Sequence, residues 1–170
     1  MSNVYADTRA KSTACNKIAR NLFYRIMHSL LPSDLLCFSV YATDHAMHRI
    51  YRTLLDPLGL TYPQYLVVLA LADGEDHSVK SLGAALTLDS GTLTPLLKRL
   101  ETHGIVTRRR NPADERQTLV QLTDTGRALH GKLGHIPDCI LSAAGMTVQE
   151  ATQLRDMLDK LRHQLNGSVS

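Results

Sequence analysis

Cysteine is scarce in this chain. Its three copies, Cys15, Cys37 and Cys139, are too few and too scattered among 170 residues to staple a fold. That usage suits a reducing cytoplasm, where oxidation of a cysteine is an event rather than a structural bond. No apolar run approaches the ~18 residues of a membrane span, and mean hydropathy is −0.13. No charged leader with an apolar core and small-residue cleavage site opens the chain, so secretion is not expected. A phosphate-cradling glycine loop and a Gly-x-Ser-x-Gly elbow are both missing, which removes two large enzyme classes. His45 with His48, and His130 with His135 and Cys139, fall short of the ligand set of a structural zinc site. They read as solvated or packing side chains, and no metal or cofactor is expected. Internal repeats and low-complexity segments are absent as well.

What is present begins with a foldable composition, 44% hydrophobic and 21% charged. The length suits one domain with a core, or one domain plus dimerisation arms. The net charge of +3 is modest, but its placement is not even. Arg108, Arg109 and Arg110 run together, with Lys98, Arg99, Arg116 and Arg127 close by in sequence. A basic run is commonly only a solvated face. Beside a helix and a hairpin it points to nucleic acid.

The helix and hairpin occupy residues 89–120. Leu93, Leu96, Leu97 and Leu100 fall on one helical face behind Asp89 as N-cap. Pro95 interrupts that helix, yet the leucine spacing continues across it, which predicts one helix. Two runs with β-branched residues, 105–110 and 117–122, flank a turn at Asn111-Pro112-Ala113-Asp114. The outline is a winged helix-turn-helix, mainly α with a small β-hairpin wing.

Upstream, residues 1–32 form an extension of unassigned role, with a helix predicted over 18–31 and stopped by Pro32. Ser33 or Asp34 is the expected N-cap of a long helix over 35–55. Thr61 and Gln64 make a capping box for an apolar core helix over 62–72. Ser78 caps a short helix over 79–86, followed by a tight turn at Thr87-Leu88. Downstream, Thr123 or Asp124 starts a helix that Pro137 ends or bends. Thr147 and Glu150 open a final helix, which Asn166-Gly167 stops. This divides the chain into the extension 1–32, dimerisation and core helices 33–75, the winged region 76–123, and C-terminal dimerisation helices 124–166.

A recognition helix presents its N-terminal turn to major-groove edges. Ser90, Gly91, Thr92 and Thr94 lie there, hydroxyls able to meet phosphates or base edges beside a glycine that allows close backbone approach. Lys98 and Arg99 suit phosphates. Arg116 with Arg108, Arg109 and Arg110 suits a minor groove at the hairpin tip.

Asp114-Glu115-Arg116, followed by Val120, Leu122 and Thr123, resembles the wing signature of the MarR family of transcription regulators. The resemblance implies that Asp114 braces the wing arginine by a charge-assisted bond. The segment from Asp89 to Leu100, proline included, resembles the OhrR-type branch that senses organic hydroperoxides. Together the match covers residues 35–165.

Leu36-Cys37-Phe38 with Tyr41 resembles that branch too, where the cysteine in this place is the peroxide sensor. From the residues alone two readings of Cys37 stand open. One is a small buried hydrophobe. The other is a reactive thiol in the first turn of a helix, whose positive end favours negative sulfur. The resemblance further implies that Tyr51 and Tyr62 hold the reactive sulfur by hydrogen bonds. Tyr51 follows Cys37 by fourteen residues, about 21 Å along a straight helix at ~1.5 Å per residue. The tyrosine role therefore requires two copies of the helix crossing in a homodimer. Some members of the branch resolve the oxidised cysteine with a second one, here Cys139; a small cellular thiol is the alternative.

The expectation is a cytoplasmic homodimeric repressor of double-stranded DNA. It senses organic hydroperoxides through Cys37 and releases a near-palindromic operator. Two alternatives are a MarR-type regulator released by a phenolic or aromatic ligand, and a thiol peroxidase, in which the arginine-tipped wing has no purpose.

Overall fold

The computed structural model describes residues 31–168. The helix expected over 18–31 falls outside them except for its last residue, and so does Cys15. The chain divides into two compact units, Met1–His45 and Ala46–Ser170.

In the first unit a 3-10 turn, Pro32–Asp34, leads into helix α1, Leu36–Leu55, which continues into the second unit. The expected cap is corrected here. Ser33 and Asp34 belong to the 3-10 turn, and Leu35 is the extended residue at which α1 begins, its carbonyl accepting the Ser39 N–H at 3.1 Å. A proline-started turn places no polar side chain at the cap, so the first N–H groups of α1 have no side-chain acceptor from Ser33 or Asp34.

The second unit holds the core. Helix α2, Tyr62–Ala70, starts as the capping box requires, with Gln64 Oε1 accepting the Thr61 N–H at 2.8 Å. It buries Tyr65, Val67 and Val68. Helix α3, Val79–Leu86, is capped by Ser78, whose hydroxyl accepts the Ser81 N–H. Thr87 ends α3 in the left-handed region at φ 54° and turns the chain into helix α4, Ser90–Thr102. Leu93, Leu97 and Leu100 of α4 are fully buried against α2, α3 and the sheet. Pro95 stays inside a single helix.

The sheet has three antiparallel strands in the order β1-β3-β2: β1 His77–Ser78, β2 Val106–Asn111 and β3 Asp114–Leu122. Strands β2 and β3 form the wing, turning through Pro112-Ala113 with Asn111 paired to Asp114. Strand β1, not foreseen from sequence, pairs His77 with Val120 and Ser78 with Leu119, and so ties the entry of α3 to the wing base. The wing base is sealed by Val106, Val120 and Leu122.

Past the wing, Thr123 caps helix α5, Asp124–Gly131. Helix α6, Ile136–Ala144, follows, and Pro137 sits in its first turn. Pro137 therefore starts a helix instead of ending one, because a ring without an N–H suits the first turn. The chain breaks earlier, over 132–135. Helix α7, Val148–Gly167, opens on the Thr147–Glu150 capping box and takes in both Asn166 and Gly167, the pair expected to stop it. Among the described residues, no helix is long and apolar enough to cross a membrane.

Candidate nucleic-acid interface and thiol site

Burying the leucine face of α4 turns the opposite face outward. Ser90, Gly91, Thr92, Thr94, Lys98 and Arg99 are all exposed. They do not stand equal. The Asp89 carboxylate accepts both the backbone N–H and the hydroxyl of Thr92, each at 2.9 Å. Those bonds hold the Asp89 carboxyl below the usual carboxylate range, the Thr92 N–H contributing most. Thr92 is thereby engaged in the cap, whereas the hydroxyls of Ser90 and Thr94 have no hydrogen-bond partner among the described residues. Gly91 has a local reason beyond close approach to a partner. A Cβ there would lie 3.0 Å from Asp89 Oδ1.

Between α3, α4 and the start of β3 runs an open cleft of about 550 Å³. Ser90 and Thr94 line one wall, Arg116 and Gln117 the other, with Lys80 and Arg108 also contributing. Lys80 and Gln117 were not singled out from sequence. Neither belongs to a motif, and only the folded wing brings them beside α4.

The wing arginines separate by partner. Arg108 donates from Nε and Nη2 to Glu101 Oε2, at 2.8 and 2.5 Å. That bond is the main cause holding the Glu101 carboxyl below its usual range. Arg109 pairs with Asp76, which also accepts from Gln121 Nε2 at 2.9 Å. Arg110 donates to the Glu115 carbonyl at 2.7 Å, a neutral acceptor that leaves its charge uncancelled. Arg116 is exposed, and its guanidinium has no ion-pair partner among the described residues. The expected Asp114–Arg116 brace takes a different form. Asp114 Oδ1 accepts the backbone N–H of Arg116 at 3.1 Å, and Oδ2 accepts from Gln117 Nε2 at 2.9 Å. Asp114 thus fixes the backbone under Arg116 and not its guanidinium.

Cys37 is exposed in the first turn of α1, which sets aside the buried-hydrophobe reading for the single chain. Around it in the first unit, Phe38 and Tyr41 pack at 6.3 Å between ring centroids, and Tyr41 meets His45 at 4.2 Å. Cys139 is half-exposed in the first half of α6. In the second unit Tyr51 and Tyr62 lie together at 4.5 Å. Two more residues join them: Tyr65, which the sequence did not single out, 5.8 Å from Tyr51, and His48, read from sequence as a solvated or packing side chain and here packed edge-on to Tyr62 at 5.2 Å. Burial pushes the Tyr51 phenol up to about 12, with Tyr62 and Tyr65 adding to it, and burial also raises Tyr65.

Residues 49–133 match the family described as transcriptional regulator SarA/Rot. The organic hydroperoxide resistance transcriptional regulator of Bacillus subtilis is 44% identical over 131 residues, 77% of this chain and 89% of that protein. This chain belongs to the MarR family of transcription regulators, in its OhrR-type branch. The regulator is also 53% identical over 132 residues to the HTH-type transcriptional regulator TtmR of Methylorubrum extorquens, covering 78% of this chain and 68% of that one. Among solved structures it is similar to reduced AbfR bound to DNA, with a TM-score of 0.69 and 33% identity over 81% of this chain and 96% of that chain. Overoxidised AbfR bound to DNA matches with a TM-score of 0.64 and 31% identity, over 85% and 98% of the two chains. AbfR has been solved from Staphylococcus epidermidis. The matched proteins are transcriptional regulators, which does not favour the thiol-peroxidase alternative.

Proposed function

We propose that this MarR-family regulator is a cytoplasmic homodimer that binds near-palindromic double-stranded DNA and releases it when organic hydroperoxide oxidises Cys37. The observation that carries the DNA half is the cleft between α4 and the wing. Unpartnered hydroxyls of Ser90 and Thr94 line one side of it and the uncancelled Arg116 the other. Hydroxyls and a glycine at the helix start suit base edges and phosphates, and a bare guanidinium on a narrow hairpin suits a minor groove. Lys98, Arg99 and Arg110 add phosphate contacts from exposed positions, and Asp114 steadies the wing tip. Arg109, tied to Asp76, serves the wing's placement.

The input rests on the exposed thiol of Cys37 and on likeness to a Bacillus subtilis protein named for organic hydroperoxide resistance. Cys37 Sγ attacks one peroxide oxygen, the O–O bond breaks, and the alcohol leaves. Sulfur gives up an electron pair and keeps the hydroxyl as a sulfenic acid. Tyr51 and Tyr62, supplied by the partner chain, hold the reduced sulfur by hydrogen bonds. Cys139 then forms an intersubunit disulfide and expels water, or a small thiol does so. Strain from that bond moves the two recognition helices off their ~34 Å spacing, and both half-sites are lost together.

Gel shifts on a natural operator, with and without an organic hydroperoxide, test the proposal. Wild type releases DNA on oxidation, and Cys37→Ser binds and ignores the oxidant. Release of Cys37→Ser by the peroxide would remove Cys37 as sensor. Mass spectrometry of the oxidised protein then separates a Cys37–Cys139 bond from a small-thiol adduct.

A further inference from the structure

The wing arginines differ in their partners, and Arg108 is spent on a glutamate of the recognition helix itself. Arg108 lines the same cleft as Arg116, Ser90 and Thr94. Both its Nε and Nη2 converge on Glu101 Oε2, from the last turn of α4 to the base of β2. The pair is half-buried, with side-chain exposures of 26% for Arg108 and 36% for Glu101. A guanidinium so placed is beside the phosphate track but electrically cancelled. Arg116, by contrast, has no carboxylate partner among the described residues.

We propose that Glu101 is a positioning residue that withholds Arg108 from the DNA backbone, setting how many phosphates each chain neutralises. The inference rests on the DNA-binding reading above. Sequence-independent affinity follows the number of phosphates neutralised, and each one makes the salt dependence steeper. Cancelling one cation inside the cleft therefore lowers affinity for every sequence. It also leaves selection to the groups at the start of α4 and the wing tip. Because the pair joins the helix to the wing, the same contact keeps those two readers in register.

The test measures binding of the full chain to a random-sequence duplex across a salt series, using wild type, Glu101→Gln and the double variant Glu101→Gln with Arg108→Gln. In Glu101→Gln the freed arginine reaches a phosphate. The slope of log affinity against log salt then steepens by ~0.9 per chain, and low-salt affinity rises several-fold. In the double variant the slope returns to that of wild type, because the pair it replaces was neutral. An unchanged or shallower slope for Glu101→Gln overturns the proposal. So does a double variant with a shallower slope than wild type, which would mean that Arg108 already meets a phosphate. That second arm holds even if Glu101→Gln alone folds poorly. Absence of any salt-dependent DNA binding by wild type would instead strike the DNA reading itself, so the two failures are distinguishable.

Discussion

Tyr51 shows how much a single side chain's surroundings decide. Packed half-buried against Tyr62 and Tyr65, its phenol is raised to about 12, burial being the main cause. A phenol that stays neutral at every physiological pH is a permanent hydrogen-bond donor, which is what the proposed contact with a reduced sulfur needs. The same shift has a stability consequence. The ordinary tyrosine value is near 10, so below it neither state loses a proton and the contribution is fully present. As pH rises from ~10 to ~12 the unfolded chain ionises first, and stability falls across that window. Absorbance of phenolate followed through an alkaline titration of folded protein checks this. Tyr51 should ionise last, after Tyr65, which burial also raises, and Tyr51→Phe should remove that last step. If the late step survives in Tyr51→Phe, it belongs to another residue. Neither Tyr65 nor His48 could be linked to this cluster by local sequence signals. Their neighbours come from the meeting of α1 with α2, a contact that spacing within one segment does not encode.

Between elements, α5 approaches the loop that enters the wing with no room for a side chain at Gly126. A Cβ on Gly126 would sit 2.1 Å from the carbonyl oxygen of Ile105. That carbonyl also accepts the Thr123 N–H at 3.1 Å, so it has little room to retreat. Gly126→Ala should therefore destabilise the second unit by ~3 kcal/mol, as overpacking against backbone does. Chemical denaturation would register it as a lower midpoint, and an unchanged midpoint would mean the loop is softer than its hydrogen bond implies. Elements with strong local signals were legible beforehand. Asp89, the leucines of α4 and the Asn111–Asp114 turn are local features, and helix and hairpin formed where they indicated. The misses share a different cause. Strand β1 has only two residues and exists because β3 offers them an edge. The break over 132–135 was hidden by continuing Pro137 backward instead of reading it as a helix start. Ser33 and Asp34 looked like caps by type, but Pro32 drew them into a 3-10 turn. The Glu101–Arg108 and Asp76–Arg109 pairs depend on tertiary register, so the triple arginine read as one uniform charge when it is three different situations.

At the scale of the whole molecule, the outward face of α7 asks for cover. Leu154 and Leu158 are 42% and 44% exposed, and Met157 reaches 70%. Leu161 and Leu165 extend the same stripe at helical spacing. Monomeric proteins seldom leave a contiguous apolar stripe of that kind in water, and a second copy of the chain supplies a matching one by symmetry. Dimerisation is also what makes the DNA site effective. Each winged unit alone binds one half-site, whereas two joined units make the second contact intramolecular, typically worth ~100-fold or more in affinity. Charges introduced into the stripe should separate the chains without touching the winged unit, whose core is built from other residues. Leu154→Glu combined with Leu158→Glu should sediment as a monomer and retain its helical circular dichroism. It should bind operator at least ~100-fold more weakly, close to its affinity for an isolated half-site. Oxidation should then have no further effect, since release acts through the spacing between two helices that are no longer joined. A doubly substituted protein that remains dimeric and still answers to hydroperoxide would place the dimer contact elsewhere on the chain.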